Sequence, residues 1–485
     1  MSVTTLTTPR LAGPVPARRK FTIIPRLDEN PKLVAQAQTV GGKVAVLAMA
    51  ACLLGWRTPR PIGLLVAVAL VTFLPAYRRM VLAAAGLYWI VTSGLLKQDL
   101  MGEVATGAGL HVPQPAIWIL SGLACVCLTL GLSWLVIRKQ GSGIVGRRPV
   151  LCLGIFFSLA LAIAGTTAIP AGVRLTTWVL VAPLSGFLWM LAYALRDCRR
   201  DPACAPGIGS MLATLWSAGS SSTPLLKGPS HARQVEAVDA TEFAVTQLKG
   251  VKLLAWTMVL VVISVGIQYL LLKGDVPTLE DAIDRNLTGT IPVWLCWESL
   301  AGSFVLLVIT LTIWGHTIVG GLRLLGFKAL RNTYAPFRAR TIAEFWNRIY
   351  FYFKELLVDH FYYPVYLRYF KRSPRVRTVF ATFAAAGFGN AFYHFGRDVN
   401  YVAELGLWRA LAGFQVYFFY TMLLATGISI SQLRGKRRQT SWFRTEVVSR
   451  VTIVLFYGLV HIFDDTRRTV SLGAHFAFLF RLFGL

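Results

Sequence analysis

Long apolar runs recur along the chain and are separated by shorter polar connections. A helix needs roughly 17 to 25 mostly apolar residues to cross the hydrocarbon core of a bilayer. About twelve runs approach this length, at 41–56, 61–77, 80–96, 116–137, 149–168, 175–195, 252–273, 292–314, 379–397, 407–430, 450–463 and 469–485. The pattern predicts an all-α fold, a polytopic transmembrane helix bundle of about 12 helices.

Composition supports a bilayer as the solvent of this chain. Of its 485 residues, 55% are hydrophobic and only 15% are charged, and the mean hydropathy is +0.57. Such a chain has too few polar side chains to cover a water-soluble globule. The formal net charge of +27 would suggest nucleic acid as the partner of a soluble protein, but the basic residues fall mostly between the apolar runs. We therefore expect no nucleic-acid partner.

The charges between the runs predict the topology. Basic residues cluster in connections at 78–79, 138–148, 196–200 and 434–438, whereas the connections at 97–103 and 275–284 hold acidic residues. The positive-inside rule assigns the basic connections to the cytoplasm, which leaves both termini cytoplasmic. Residues 1–40 read as a flexible basic cytoplasmic tail without the apolar core of a cleavable signal peptide. We expect residues 41–485 to form a single membrane-embedded domain.

Two of the predicted cytoplasmic stretches are long. Residues 196–251 are rich in Gly, Ser, Pro and Ala, which favours a loop. Residues 315–378 instead mix aromatic and charged side chains. In this stretch apolar residues recur at helical spacing, at Phe345, Trp346, Ile349, Phe353 and Leu356. The spacing predicts an amphipathic helix near 341–364 that is embedded in the membrane or lies in its interface.

Two sequence blocks stand in the C-terminal half. The first contains Leu325-Gly326-Phe327, the stretch from Asn332 to Pro336, and the run Thr-Ile-Ala-Glu-Phe-Trp-Asn-Arg that ends at Arg348. About 45 residues later comes Gly-Phe-Gly-Asn-Ala-Phe-Tyr-His, which ends at His394. The order and spacing of the blocks, within residues 325–398, resemble those of the membrane-bound O-acyltransferase (MBOAT) family. The chain looks like a divergent bacterial-type member.

The resemblance implies an acyltransferase that moves an acyl group from a thioester to a hydroxyl of a glycan, lipid or other envelope acceptor. His394 would be its general base. The thioester, such as acyl-CoA or acyl carrier protein, would be a co-substrate, and the resemblance implies neither a cofactor nor a metal. The implied partners are membrane lipid, the acyl donor and an extracytoplasmic partner acyltransferase. The implied location is the bacterial cytoplasmic membrane, as a multi-pass protein.

His394 is also a candidate on chemical grounds. Ionisable side chains are rare in membrane helices and mark functional positions there. An imidazole titrates near neutral pH, so it can remove the hydroxyl proton during acyl transfer. The alternative is a histidine that only satisfies a backbone carbonyl near the end of its helix. Asn390, one helical turn earlier, could orient the imidazole or bind substrate.

The first block departs from the family pattern at one point. The family continues Phe-Trp-x-Arg with Trp and then His or Asn, where this chain has Ile349 and Tyr350. A phenol, with a pKa of about 10, is a poor substitute for an imidazole base. The second polar role could fall to Tyr350 or shift to Asn347, Asp359 or His360.

The site candidates follow from these blocks. The catalytic candidates are His394, Asn390 and Tyr350. The substrate-binding candidates are Trp346, Asn347, Arg348, Asp359 and His360. The oxyanion of the tetrahedral intermediate needs hydrogen-bond donors, and Asn347, Tyr350 and Asn390 could supply them.

Other features leave alternatives open. His461 with Asp464 and Asp465 has spacing suited to a metal, but an interfacial helix cap is the simpler interpretation. The basic residues from Arg368 to Arg377 could attract a phosphate-bearing donor or anionic lipid, or could be a cytoplasmic anchor. The main alternative function is a multi-pass transporter or lipid flippase without acyl transfer, and a structural membrane subunit is a third. Transporters often have two similar halves, and none are visible here.

Overall fold

The computed structural model describes residues 23–55, 61–92, 94, 97–139, 142–200, 222–289, 291–434, 441–467 and 469–485. Within these residues all regular elements are helices and no β-strand is present. Glu236 and Phe327 form an isolated antiparallel β-bridge. The fold is therefore all-α, as the apolar pattern predicts.

The first part of the chain consists of helices joined by short connections. Its helices are α1 (Pro31–Gln38), α2 (Val40–Leu54), α3 (Pro61–Phe73), α4 (Arg78–Thr92), α5 (Gln98–Gly107), α6 (Gln114–Arg138), α7 (Pro149–Gly165), α8 (Ala171–Arg200) and α9 (Ala240–Lys273). Shorter turns lie at Leu27–Glu29, Pro75–Tyr77, Gly143–Arg147 and Pro229–Gln234.

The second part contains one long helix, α11, and otherwise shorter ones. Its helices are α10 (Leu279–Leu287), α11 (Val293–Leu324), α12 (Ile342–Ile349), α13 (Phe351–Leu357), α14 (Pro374–Thr382), α15 (Asn390–Arg397), α16 (Asn400–Leu405), α17 (Leu407–Gly413), α18 (Gln415–Leu433), α19 (Ser449–His461) and α20 (Leu472–Arg481). Single turns lie at Pro336–Arg338 and Tyr363–Tyr366, and π-helical segments at Val358–Tyr362, Phe383–Gly389 and Arg444–Val448.

Several helices have the dimensions of membrane spans. In the described residues five helices, α6, α8, α9, α11 and α18, are long and apolar enough to cross a bilayer. The number rises to seven if the bent pairs α1–α2 and α3–α4, with angles of 98° and 117°, each form one span. These helices are compatible with a membrane protein. The count of about twelve remains a prediction.

Some boundaries differ from the sequence expectations. The helix that contains the predicted span 252–273, α9, begins at Ala240, where the side chain of Asp239 caps the N–H of Glu242. Residues 31–38, expected to belong to the flexible tail, form α1, and Val34 and Ala37 on this helix are buried. Residues 1–22 of the predicted tail and 201–221 of the predicted loop lie outside the described residues.

The predicted helix near 341–364 is broken. It consists of α12, α13, a π-helical segment and one further turn, and Tyr350 stands at the first break with φ −146° and ψ 77°. The apolar side chains keep helical spacing across this break, so the periodicity alone does not reveal it.

Helix α8 positions the region around the two sequence blocks. Most of its residues from Trp178 to Cys198 are buried, with Leu184, Leu191 and Leu195 almost completely so. This candidate span is therefore enclosed by protein over much of its length. Trp189 of α8 contacts Phe361 and Tyr393, and Arg196 near its end pairs with Asp359. Helix α8 therefore reaches the π-helical segment Val358–Tyr362 and α15, where several site candidates lie.

Candidate functional site

The polar residues of the first block begin helix α12. The hydroxyl of Thr341 accepts the N–H of Glu344 at 3.0 Å, and the Glu344 carboxylate accepts the N–H of Arg340 at 2.8 Å. The same carboxylate pairs with Arg348 one turn later, at 2.7 Å. These contacts satisfy backbone groups that the first turn of a helix leaves free. Arg348, a substrate-binding candidate, is thus engaged with Glu344.

The stretch beginning at Asn332 spans the break at Tyr350. The N–H of Tyr334 and the hydroxyl of Thr333 donate to the carbonyls of Arg348 and Ile349, at 2.8 and 2.7 Å. The carbonyl and side-chain oxygen of Asn332 accept the first amides of α13, at 2.8 and 3.2 Å. Asn332, Thr333 and Tyr334, here called the clamp, therefore satisfy both helix ends at the break.

The clamp is itself fixed against helix α11. Nε2 of His316 lies 3.3 Å from the carbonyl of Thr333 and donates to it. A Cβ at the neighbouring Gly315 would lie 2.8 Å from the side-chain amide nitrogen of Asn332. Glycine at this position allows α11 and the clamp to approach closely. The position of the break is set by tertiary contacts with another part of the chain.

Helix α13 brings several candidates together around Phe353. Ring centroids lie 5.6 Å from Phe353 for His394, 5.5 Å for Tyr350 and 6.1 Å for Trp346. Tyr393 lies closer still, at 4.6 Å. The two blocks thus meet at one aromatic cluster, and three of the sequence candidates share a single neighbour. Sequence reasoning did not single out this role of Phe353.

A second aromatic residue, Trp189, connects Tyr393 of this cluster with the neighbouring candidate His360. Trp189 of α8 stacks on Tyr393, with centroids 6.1 Å apart, and contacts His360 at 5.7 Å. Tyr193, one turn further along α8, lies 4.5 Å from the His360 ring. Sequence reasoning missed Trp189 because an aromatic residue inside an apolar run carries no separate signal.

Asn390 is the most unusual polar residue of this region. It is 1% exposed, and within the described part of the chain neither its amide oxygen nor its amide nitrogen has a hydrogen-bond partner. A buried primary amide in this state costs a few kcal/mol, so such groups generally face a polar ligand or water. Asn390 lies one turn before His394, and both follow a π-helical segment. Such segments are frequent at functional sites.

The two π-helical segments that flank the site touch each other. A Cβ at Gly389 would lie 2.7 Å from the ring of Phe361, which belongs to the other segment. His360 precedes that ring directly, and Asn390 follows Gly389 directly. The close approach therefore places the backbones that carry these two candidates side by side.

His394 is half-buried and faces a tyrosine pair on α18. Its imidazole lies 4.6 Å from the ring of Tyr417, which lies 5.2 Å from Tyr420. Asp464 is within electrostatic reach of both phenols. A cavity of about 250 Å³ borders Asp464 and is lined by Thr278, Leu279, Glu280, Ile283, Ser303, His461, Ile462, Asp464 and Asp465. The cavity borders Asp464, which the tyrosine pair links to His394. It also borders Glu280, which belongs to a connection that the charge pattern predicts to lie outside.

The His461 group lies in the wall of this cavity. Nδ1 of His461 is 3.6 Å from Asp464, and Asp465 is engaged by Arg467 at 2.9 Å and by the buried His475 at 3.1 Å. Across the described ranges, no group of three or more His, Cys, Asp and Glu side chains could hold a metal ion.

Charged residues gather around Asp359, which directly precedes His360 in the chain. The Asp359 carboxylate accepts from the hydroxyl of Tyr193 at 2.9 Å and pairs with Lys227 at 3.0 Å and Arg196 at 3.2 Å. Glu355 also pairs with Lys227, at 3.0 Å. Burial raises the pKa of the Asp359 carboxyl, but Arg196 and Lys227 outweigh it, so the pKa lies below its ordinary value. The charge of Asp359 is balanced by residues of this chain.

Lys227 belongs to a buried part of the predicted 196–251 loop. The hydroxyls of Ser222 and Thr223 lie 2.6 and 2.8 Å from the hydroxyl of Tyr393, and the N–H of Ser230 donates to Asp197 at 3.0 Å. Residues 222–226 are buried, so this segment is part of the packed structure and not a solvent-exposed connection. The composition of the loop did not predict this.

The sequence candidates thus fall into groups. His394, Tyr350 and Trp346 meet at Phe353. His360 lies on one π-helical segment, and Asn390 directly follows the other, which touches it. Asn347 is exposed on α12. Arg348 and Asp359 are engaged in ion pairs. Compared with models of known protein families the chain matches none, and a search of curated proteins finds no significant match.

Proposed function

We propose that the protein is a membrane-bound O-acyltransferase, with His394 as general base. The observation that carries the proposal is the buried, unpaired amide of Asn390 one turn before His394. A buried amide that has no hydrogen-bond partner among the described residues is suited to hold a polar group of a substrate. The neighbouring imidazole supplies the base that acyl transfer to a hydroxyl requires.

In the proposed reaction, His394 accepts the proton of the acceptor hydroxyl as its oxygen attacks the thioester carbonyl. A C–O bond forms and a tetrahedral oxyanion results. The oxyanion then collapses, the C–S bond breaks, and the departing thiolate takes the proton from the His394 imidazolium. The products are an ester and a free thiol. The amide of Asn390, with Tyr350 as the further candidate, would donate to the oxyanion or orient the substrate.

Two polar regions would serve two substrates in this scheme. The Asp359 group, on the predicted cytoplasmic side, stands nearer the expected source of acyl-CoA or acyl carrier protein. The cavity beside Asp464 stands on the side from which an envelope acceptor would arrive. We further propose a multi-pass protein of the bacterial cytoplasmic membrane with about twelve spans and both termini cytoplasmic.

The test uses purified wild-type protein, a labelled short-chain acyl-CoA, and extracts of envelope glycans and lipids. His394→Ala should lower transfer by on the order of 10² to 10⁴ and leave the protein folded and inserted. Asn390→Leu, which removes both polar atoms at similar size, should also lower transfer. Tyr350→Phe should be milder, because the ring contacts remain.

The outcomes separate the proposal from its alternative. Unchanged transfer in His394→Ala would remove the histidine from the mechanism. Absence of transfer in the wild type, together with substrate-dependent flux in vesicles, would favour a transporter or flippase.

A further inference from the structure

The connection before helix α14 is an exposed surface loop. Every residue from Leu367 to Val376 is exposed, including the apolar ones. Leu367 is 67% exposed and Phe370 is 49% exposed. We call residues 367–377 the basic loop. It follows the turn Tyr363–Tyr366 and includes the first four residues of α14, Pro374 to Arg377. It lies between the two π-helical segments that flank the candidate site.

The basic loop carries only positive charge. Its charged residues are Arg368, Lys371, Arg372, Arg375 and Arg377, and the chain has no acidic residue between Asp359 and Asp398. Those two carboxylates are themselves balanced, Asp359 by Arg196 and Lys227 and Asp398 by Arg397. The positive charge of the loop is therefore not offset by its neighbours along the chain.

Aromatic contacts hold the basic loop in a defined shape. The rings of Tyr369 and Phe370 lie 6.0 and 5.1 Å from Phe380 of α14. At its other end, the guanidinium of Arg377 lies 4.2 Å from the ring centre of Tyr366 and donates to its hydroxyl at 3.0 Å. Apolar and basic side chains are thus presented together on one ordered segment.

From these features we propose that the basic loop docks on anionic phospholipid head groups of the bilayer surface. Lys and Arg attract anionic lipid, and aromatic and aliphatic side chains settle at the boundary between head groups and acyl chains. A soluble phosphate would satisfy the charges but leave Leu367 and Phe370 in water. The lipid interface accommodates both kinds of side chain. This inference does not depend on acyl transfer.

The test compares lipid selectivity in reconstituted membranes. Spin-labelled phosphatidylglycerol and spin-labelled phosphatidylcholine are each added to wild-type protein in phosphatidylcholine bilayers, and the motionally restricted fraction gives their relative association. The triple variant K371Q/R372Q/R375Q should lower the preference for phosphatidylglycerol by about threefold or more at low salt. The preference of the wild type should also weaken at high salt.

A matched control removes the same charge elsewhere. The variant R138Q/K139Q/R148Q neutralises three exposed basic residues of another predicted cytoplasmic connection. It should keep most of the preference. A second variant, L367S/F370S, retains every charge and should weaken association with both lipids. Equal unfolding temperatures in detergent would establish that the variants fold.

Four outcomes would overturn the proposal. The first is an unchanged lipid preference in the loop variant, and the second is an equal loss in the control. The third is stabilisation of the wild type by millimolar inorganic phosphate without any lipid preference, which would assign the loop to a soluble anion. A loop variant that loses binding to an acidic acyl carrier protein but keeps its lipid preference would assign the loop to a protein partner.

Discussion

The imidazole of His394 meets the ring of Phe353 edge-on, with centroids 5.6 Å apart and planes at 88°. Phe353 lies on α13, directly after the break at Tyr350, whereas His394 lies on α15. The contact joins α13, which follows the first sequence block, to α15, which contains the end of the second block. The packing of His394 on Phe353 therefore depends on where α13 begins, and the clamp determines where α13 begins.

The clamp should be required for both stability and the setting of His394. Asn332→Ala removes the oxygen that accepts the N–H of Tyr352 and leaves a buried donor, at a cost of about 1 to 3 kcal/mol. Asn332→Asp retains an acceptor but buries a carboxyl group, so it should also be destabilising. Thermal unfolding in detergent measures the effect, with Asn347→Ala on an exposed position as the control. If Asn332→Ala unfolds at the control's temperature, the clamp does not contribute in this way.

The contact between the π-helical segments should not tolerate a methyl group. Gly389→Ala would place a Cβ 2.7 Å from the Phe361 ring, and such overpacking typically costs about 1 to 3 kcal/mol. Gly458→Ala, inside α19 with nothing within 4 Å of the new Cβ, is the matched control and should be neutral or slightly stabilising. Unfolding temperatures of the two variants check this. Equal values would argue against close contact at Gly389.

The Asp359 group should make stability depend on pH on the acid side. Because its folded pKa lies below the ordinary value, Asp359 stabilises the protein at neutral pH, and this contribution is lost as pH falls through the folded pKa. The unfolding temperature of the wild type should fall from about pH 5 to 3, and that of Asp359→Asn should fall less. Lys227→Gln, which removes one partner, should also reduce the dependence. Parallel curves for wild type and Asp359→Asn would contradict this assignment.

The charge asymmetry predicts that α10 and the basic loop lie on opposite sides of the membrane. Asp281→Cys and Ser373→Cys place single thiols on exposed positions of the two regions. A membrane-impermeant maleimide should label Cys at 281 in spheroplasts and Cys at 373 only in inverted vesicles. The wild type, whose Cys52 and Cys127 are exposed, gives the background. Labelling of both positions from one side would break the predicted topology.

The sequence by itself determined the helical class and the position of the five described helices that are long and apolar enough to span a membrane. A bilayer requires long apolar runs, and these runs are visible without knowledge of any contact. The start of α12 could also be predicted from the sequence, because its contacts among Thr341, Glu344 and Arg348 lie within one or two helical turns. The sequence also named His394 and Asn390, since polar side chains stand out in an apolar helix.

The tertiary structure decided the break at Tyr350 and the surroundings of the site. The apolar spacing continues across the break, and its hydrogen-bond partners come from Asn332 and Thr333, a separate segment held against α11. The partners of Asp359 come from α8 and from the buried segment around Lys227. Periodicity and helix caps are encoded over a few residues and can be read from the chain. Partners from distant segments are fixed only when the helices pack, because many pairings would satisfy the same donors and acceptors.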